Sequence, residues 1–180
     1  MLSDLSFAVG GGEALVVTGP NGSGHSTLLR ALAGLIAPES GQISFSGGLT
    51  RGAVHLVAHR NAIKAATSVY ENALFFARWQ GGAEDAATRA EAALARVGLD
   101  GEADAPAAFL SQGQGRRLAL ARLIASPRPV WLLDEPVAGL DTASRAMFAG
   151  AMAEHCDSGG LIVATTHEPL GLADPRELAL

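Results

Sequence analysis

The sequence contains little lysine, little cysteine and no long apolar run, and each shortage excludes a class of protein. Its 180 residues include one lysine, Lys64, and one cysteine, Cys156. A single cysteine excludes an internal disulfide framework and a cysteine-rich zinc site. The net charge is −5 and no basic run is present, so we expect no nucleic-acid partner. No apolar run approaches the roughly 20 residues of a membrane span, and the first residues do not resemble a secretory signal.

Apolar runs of strand length alternate with helical stretches, which predicts an α/β fold. Strands are expected at Leu5–Val9, Ala14–Thr18, Gln42–Ser46, Ala53–Val57, Val130–Leu133 and Leu161–Thr165. Helices are expected from the residues after Gly24 to Gly34, from Ser68 toward Trp79, over Ala83–Val97, from Ser111 through Ala125, and from Asp141 to about Asp157. Hydrophobic residues make up 48% of the chain, which leaves open an apolar docking surface or an alanine-rich core.

The shortage of lysine extends to a glycine-rich loop whose pattern requires one. The loop fits the phosphate-binding pattern G-x-x-x-x-G-K-[ST] except at its lysine position, and reads Gly19-Pro20-Asn21-Gly22-Ser23-Gly24-His25-Ser26-Thr27. An apolar strand precedes it and a helical pattern follows. Backbone N–H groups of such a loop turn toward one anion, and the helix N-terminus adds a positive dipole end. Ser26 is the usual magnesium ligand and Thr27 is placed to touch phosphate. The alternative is a glycine-rich turn that caps a helix and binds nothing.

Two carboxylates follow the apolar strand that ends at Leu133. Asp134 can hold a magnesium ion through water, and Glu135 can polarise an attacking water molecule. Acidic residues are common at strand ends, so this pair indicates a nucleotide site only in combination with the glycine-rich loop.

The segment Leu110-Ser111-Gln112-Gly113-Gln114 resembles the L-S-G-G-Q signature of the ATP-binding cassette (ABC) ATPases, with Gln112 in place of the first glycine. The basic and then alanine-rich continuation from Arg116 to Arg122 is also similar to that family. Ser111 would begin a helix, and its hydroxyl together with the glycine backbone N–H groups at the helix N-terminus could bind an anion. The alternative is a serine N-cap without a ligand.

Two later motifs add to the resemblance. Ala138-Gly139-Leu140-Asp141 matches the family's D-loop, and a strand ends at His167, the position of the family's switch histidine. Each could by itself be an ordinary turn or a structural histidine. Because the motifs keep the family's order over nearly the whole chain, the sequence is identified as a member of the ABC ATPases. It is most similar to the haem-exporter ATPases of cytochrome c maturation, a resemblance carried by His59 in place of the Gln-loop glutamine, by Lys64 before Thr67–Asn72, and by the segments Leu132–Asp141 and Thr165–Leu170.

The resemblance implies a P-loop NTPase fold of the ABC type in one domain over residues 1–180. A mainly parallel sheet would carry a helical subdomain at about 68–125 and a truncated antiparallel β subdomain. The family normally begins upstream of Leu2, so we expect the segment that supplies antiparallel strands and an aromatic residue against adenine to be missing.

The resemblance also implies ATP and Mg²⁺ as ligands and two copies arranged head to tail. Each ATP would lie between the loop around Ser26 of one copy and Ser111, Gly113 and Gln114 of the other, with Asp141 in the D-loop beside it. Glu135 would be the general base and His167 the γ-phosphate clamp. Ser26 and Asp134 would hold magnesium.

The implied partners are an integral-membrane permease and cytochrome c assembly factors. The protein would then be cytoplasmic and peripheral on the inner face of the cell membrane through its permease. A rival hypothesis, favoured by His25, is a degenerate subunit that binds ATP without hydrolysing it. A soluble ABC protein of translation or DNA repair fits less well. Such proteins usually carry paired cassettes or long coiled-coil insertions, and this sequence shows neither.

Overall fold

The computed structural model describes residues 2–180, and these divide into two compact units. The first, called the sheet unit, comprises the chain up to His59, then Arg128–Ala138 and Phe148–Leu180. The second, called the helical unit, comprises Arg60–Pro127 and Gly139–Met147. Within residues 2–180, no helix is both long enough and apolar enough to cross a membrane.

Parallel strands form the centre of the sheet unit. In the part of the chain that the structure describes, the strands are β1 (Ala14–Thr18), β2 (Val54–Val57), β3 (Val130–Asp134), β4 (Leu161–Thr165) and β5 (Arg176–Ala179). They pair in the order β2-β3-β4-β1-β5, and every pairing is parallel. The register sets Val17 and Asp134 beside the same residue, Thr165. The expected mainly parallel sheet is therefore confirmed.

The sheet unit buries large aliphatic side chains. Helix α1 (His25–Leu32) packs against β3 and β4 through Leu28 and Leu29. The buried members of this core are leucine and valine, namely Leu15, Val17, Leu28, Leu29, Val54, Val130, Leu132 and Val163. Strands buried on both faces require such continuous apolar runs, which is why the sequence showed the central strands so clearly.

The helical unit consists mainly of α2 (Val69–Gly81), α3 (Ala86–Arg96) and α4 (Gln112–Ala125), which pack against one another. Alanine supplies most of its buried core. The helix expected from Ser68 is present and starts with a capping box, since the Ser68 backbone N–H donates to Glu71 Oε2 at 2.8 Å and the Glu71 N–H donates to Ser68 Oγ at 3.0 Å. The fifth helix, α5, spans Thr142–Asp157.

Three expectations from the sequence need correction. Leu5–Val9 and Gln42–Ser46 are not strands, so the expected remnant of an antiparallel subdomain is wrong for these segments. Their apolar side chains, among them Phe7 and Phe45, pack against the leucine and valine core. A strand needs a neighbouring strand for its backbone ladder, and in the described residues these segments have none.

The third correction concerns α3, and a further difference concerns β5. Helix α3 begins at Ala86 and not at Ala83, because Asp85 before it takes a left-handed conformation with φ of 52°. Strand β5 was not expected, since Arg176 and Glu177 are exposed and no apolar run marks it. It forms by pairing with the edge of β1.

Candidate functional site

The residues expected at the phosphate end of a nucleotide site meet at the carboxyl edge of the sheet. The glycine-rich loop follows β1, Glu135 follows β3, and His167 lies two residues after β4. These strands are neighbours in the order β3-β4-β1, so their ends lie side by side. Ligands of open parallel sheets bind at this edge.

The glycines of the loop adopt backbone conformations that other residues rarely take. Gly19, Gly22 and Gly24 have φ of 151°, 86° and 114°. A Cβ on Gly19 would lie 2.8 Å from the Leu180 carbonyl oxygen, and one on Gly24 would lie 2.9 Å from the Leu2 side chain. Side chains at Gly19 and Gly24 would therefore both strain the backbone and collide with neighbours.

The first turn of α1 is open to an anion. Gly24 caps the helix without a side-chain hydrogen bond, and the first turn carries no acidic residue. Two polar atoms under the loop, Ser23 Oγ and His25 Nε2, are buried without a hydrogen-bond partner among the described residues. Both approach the space beside Gly19, where a Cβ would lie 3.1 Å from Ser23 Oγ and 3.3 Å from His25 Nε2. Unpartnered buried donors and a helix N-terminus fit a phosphate group.

The two residues expected to hold magnesium touch each other. Ser26 Oγ donates to Asp134 Oδ2 at 2.7 Å. Thr165 Oγ1, at the end of β4, donates to Asp134 Oδ1 at 2.9 Å and so orients the carboxylate. Asp134 is buried. A hydroxyl and a carboxylate are hard oxygen ligands of the kind that Mg²⁺ takes beside phosphates, so the chemistry of this pair fits the ion.

Glu135 and His167 lie on the open side of this pair. Glu135 has φ of 46°, an unusual backbone conformation for a residue with a side chain, while its N–H donates to the Thr165 carbonyl at 2.9 Å. His167 Nε2 lies 3.1 Å from Asn21 Oδ1 and 3.7 Å from Glu135 Oε1. The arrangement places a carboxylate and an imidazole together next to the loop. Backbone strain of this kind is concentrated at functional sites.

The signature segment lies in the helical unit and its polar groups are bonded locally. The Ser111 N–H donates to Gln114 Oε1 at 2.9 Å, and the Gln114 N–H donates to Ser111 Oγ at 3.2 Å. Gln114 Nε2 donates to Glu102 Oε1 at 3.0 Å. The expected helix start is confirmed, and the Gln114 side chain already has partners at both of its polar ends.

The D-loop packs on the signature within the same unit. A Cβ on Gly113 would lie 3.3 Å from the Gly139 carbonyl oxygen, so a larger residue at 113 would press on the D-loop backbone. A Cβ on Gly139 would lie 3.9 Å from the Gln112 side chain, which is an ordinary van der Waals distance. The Gln112 side chain therefore lies beside the D-loop without a clash. Asp141 caps α5, since its Oδ1 accepts the Ser144 N–H at 2.7 Å. That hydrogen bond lowers the pKa of the exposed Asp141 carboxyl below its ordinary value.

The expected site residues thus form two groups. One contains Gly19–Thr27, Asp134, Glu135 and His167 in the sheet unit, and the other contains Ser111, Gly113, Gln114 and Asp141 in the helical unit. Sequence reasoning missed the supporting partners: Thr165 for Asp134, Asn21 for His167, and Glu102 for Gln114. Glu102 has no motif to signal it, whereas Thr165 could have been found because it ends the strand before the histidine.

Comparisons with known proteins place the chain among its relatives. The family described as ABC transporter matches residues 2–138 of the chain. The chain is 51% identical over 176 residues to the cytochrome c biogenesis ATP-binding export protein CcmA of Brucella abortus (strain 2308), covering 96% of this chain and 80% of that protein. It is 47% identical over 187 residues to the protein of the same name in Rhizobium meliloti (strain 1021), covering 100% of this chain and 90% of that protein.

Solved structures show the same fold at lower identity. An ATP-binding subunit of an ABC transporter aligns with a TM-score of 0.83 at 24% identity, over 92% of this chain and 73% of that one. A dimeric ATP-binding cassette in a post-hydrolysis state, bound to ADP and Pi, aligns with a TM-score of 0.80 at 23% identity, over 90% of this chain and 78% of that one. At these identities the likeness concerns the fold alone.

Proposed function

The chain belongs to the ABC transporter family of ATP-binding proteins, and we propose that it is the ATP-hydrolysing subunit of the haem exporter of cytochrome c biogenesis. The names of relatives about half identical to it support the assignment to cytochrome c biogenesis. The observation that carries the proposal is the 2.7 Å contact between Ser26 and Asp134 at the phosphate loop, with Glu135 and His167 beside it.

In this proposal the loop holds the triphosphate of ATP. N–H groups at the start of α1 donate to phosphate oxygens, and Ser23 Oγ and His25 Nε2 gain partners that the described residues do not give them. Ser26 and Asp134 would hold Mg²⁺, which would supply positive charge to offset that of the phosphates.

Hydrolysis then requires a proton acceptor and a contact to the γ-phosphate. Glu135 accepts a proton from the water that attacks the γ-phosphorus, and the bond from that phosphorus to the ADP oxygen breaks. His167, held by Asn21, donates a hydrogen bond to the γ-phosphate. A histidine at position 25 cannot deliver a lysine ammonium to the phosphates, so we expect this site to turn over slowly.

A second copy of the chain completes the site. Ser111 and Gly113 lie at a helix N-terminus that is locally capped. In this proposal they contact the ATP held by the other copy's loop. Asp141 and Gln114 support this surface through the contacts described above. Binding of two ATP molecules closes the dimer, and hydrolysis opens it.

Sedimentation of the Glu135→Gln variant tests the dimer. We expect a monomer without nucleotide and a dimer with ATP and magnesium, because the amide keeps the shape of Glu135 but cannot accept the proton. ADP is the matched control and leaves the variant monomeric. A variant that binds ATP, as shown by equilibrium dialysis, but remains monomeric would contradict the two-copy site.

A degenerate subunit that binds ATP without hydrolysing it is the second candidate, and His25 is the observation that favours it. The two candidates differ in the turnover of the unmodified chain. If the unmodified chain and Glu135→Gln release phosphate at the same rate, the chain is a binding subunit. If the unmodified chain releases phosphate slowly but measurably, and Glu135→Gln releases none, the chain is a hydrolysing subunit.

The membrane partner in this proposal is an integral-membrane permease, with cytochrome c assembly factors beyond it, and the chain lies on the cytoplasmic face. Exposed aromatic side chains support a docking surface on α2, where Phe75 and Trp79 are 57% and 67% exposed. Flotation with plain lipid vesicles tests the dependence on the permease. We expect the isolated chain to stay in solution and to float only with vesicles that contain the co-expressed permease; flotation with lipid alone would contradict this.

A further inference from the structure

The His25 side chain makes a contact that a lysine at the same position could not make. Its ring lies edge-on to the His167 ring, with centroids 5.8 Å apart and an interplanar angle of 62°. At the same time its Nε2 is buried under the loop, 3.3 Å from where a Gly19 Cβ would be. The ring therefore joins the loop to His167, two residues after β4.

His167 depends on a small number of contacts for its orientation. Its side chain is 48% exposed, so packing restrains it little. Its Nε2 faces Asn21 Oδ1 at 3.1 Å and Glu135 Oε1 at 3.7 Å. These contacts act on one ring nitrogen, whereas the His25 ring supports the body of the imidazole. An edge-to-face contact at this distance is attractive because the positive edge of one ring meets the negative face of the other.

We propose that His25 is a positioning residue for His167, whose ring it holds so that Nε2 faces Asn21 and Glu135. With histidine in place of the loop lysine, the site lacks a cation that would bind phosphate. It has instead a ring contact that orients His167, the residue proposed to bind the γ-phosphate. This inference rests on the proposed function for the role of His167, but the ring contact itself needs no nucleotide.

Nuclear magnetic resonance of the full chain labelled at histidine tests the contact without nucleotide. The His167 ring signals are identified by their loss in His167→Gln. His25→Phe keeps a ring at position 25, whereas His25→Ala and His25→Lys remove it. We expect the His167 signals of His25→Phe to stay near those of the parent, and those of the other two variants to move toward the signals of the exposed His59. His59→Ala is the matched control and leaves the His167 signals in place.

Steady-state kinetics supplies the second readout. An aromatic pair of this kind corresponds to roughly a two- to twelvefold effect, so we expect kcat of His25→Phe to exceed that of His25→Ala by about that factor. Both variants lack Nε2 and should share any increase in KM. The ring contact therefore affects kcat, and the missing phosphate contact affects KM.

Unchanged His167 signals in both His25→Ala and His25→Lys would overturn the proposal, as would equal kcat values for the phenylalanine and alanine variants. His25→Lys restores the residue that the loop pattern requires, so it keeps the test decisive if alanine disturbs the loop. Failure of the proposed function looks different, because a chain that does not bind ATP would still show the shift of the His167 signals.

Discussion

The sheet unit and the helical unit are stabilised by different interiors. The sheet unit buries leucine and valine between strands and α1, whereas the helical unit buries mostly alanine between α2, α3 and α4. Small side chains let helices approach closely, and large ones fill the wider space between a sheet and a helix. The high apolar content of the sequence is thus partly an alanine-rich core, and Phe75, Trp79 and Phe109 remain as exposed aromatics.

The candidate site residues of the two units also differ in how some of their hydroxyl and imidazole groups are partnered. In the sheet unit Ser26 bonds to Asp134, 108 positions away, and His167 bonds to Asn21, 146 positions away. In the helical unit Ser111 bonds to Gln114, three positions away. The first unit builds a site from distant segments, whereas the second presents a locally capped helix end. The proposed function would use this difference, because in it the loop of one copy holds the phosphates and the signature of another copy contacts the same ATP.

The largest expected effect tests whether the missing lysine in the loop of the sheet unit limits the rate of ATP turnover. His25→Lys should raise ATP turnover by roughly 10²- to 10³-fold, or about 3–4 kcal/mol of barrier, because an ammonium offsets the charge that develops on the phosphates. Loss of the ring contact with His167 opposes this by only about 0.5–1.5 kcal/mol. The measurement is phosphate release at saturating ATP and magnesium. Glu135→Gln in both backgrounds supplies the blank, and equal, robust rates with and without lysine would show that His25 is no defect.

The next expected effects test the two interiors. Leu132→Ala in β3 should lower the free energy of unfolding by about 2–5 kcal/mol, because it leaves a cavity among large side chains.

Ala93→Leu in α3 should lower the free energy of unfolding by about 1–3 kcal/mol, because the alanine core has no room for a larger side chain.

Chemical denaturation measures both changes. Ala92→Leu is the matched control for the helical unit, since Ala92 is the exposed neighbour of Ala93 on the same helix. We expect it to change stability by less than about 0.5 kcal/mol. Equal effects of leucine at 92 and 93 would argue against a tightly packed alanine core.

A smaller effect separates capping from ligand binding in the helical unit. Ser68 and Ser111 both form capping boxes, at the starts of α2 and α4. Replacing either with alanine should cost about 1 kcal/mol of stability, because each loses the same hydrogen bond at the helix start. Only Ser111→Ala should also weaken the ATP-dependent dimer of Glu135→Gln, as measured by sedimentation. If Ser68→Ala weakens the dimer equally, the role of Ser111 is capping alone.

The smallest expected effect concerns pH and the back of the sheet unit. His155 stacks on Trp131 with ring centroids 3.9 Å apart, and a Cβ on Gly160 would collide with its ring. Burial lowers the pKa of His155 below its ordinary value. Backbone hydrogen bonds with Leu161 and Pro129 raise the pKa, but their effect is smaller than that of burial. The unfolded chain then binds the proton more readily, so stability should fall as pH drops below about 6.5.

His155→Phe is the comparison for this effect, because phenylalanine keeps a ring against Trp131 and cannot be protonated. Thermal unfolding midpoints between pH 7.5 and 5.5 should fall less steeply for the variant than for the parent. Parallel curves would show that His155 does not contribute to the acid sensitivity.

Features that depend on nearby residues could be predicted from the sequence. The strands β1 and β4 have the expected bounds, since a buried strand is an apolar run. The helix starts expected at Ser68, Ser111 and Asp141 are also present, and each is capped by the side chain of that residue. Each involves residues at most three or four positions apart, so the information is local.

Other features were decided only by tertiary structure. Strand β5 exists because β1 offers a free edge, and the segments at Leu5–Val9 and Gln42–Ser46 are not strands because no ladder partner lies beside them in the described residues. The approach of His25 and Asn21 to His167 depends on which strands are neighbours in the sheet. The sequence by itself determined the motifs and the local elements, whereas the order of the strands decided which side chains meet, because contacts between distant segments follow from topology and not from periodicity.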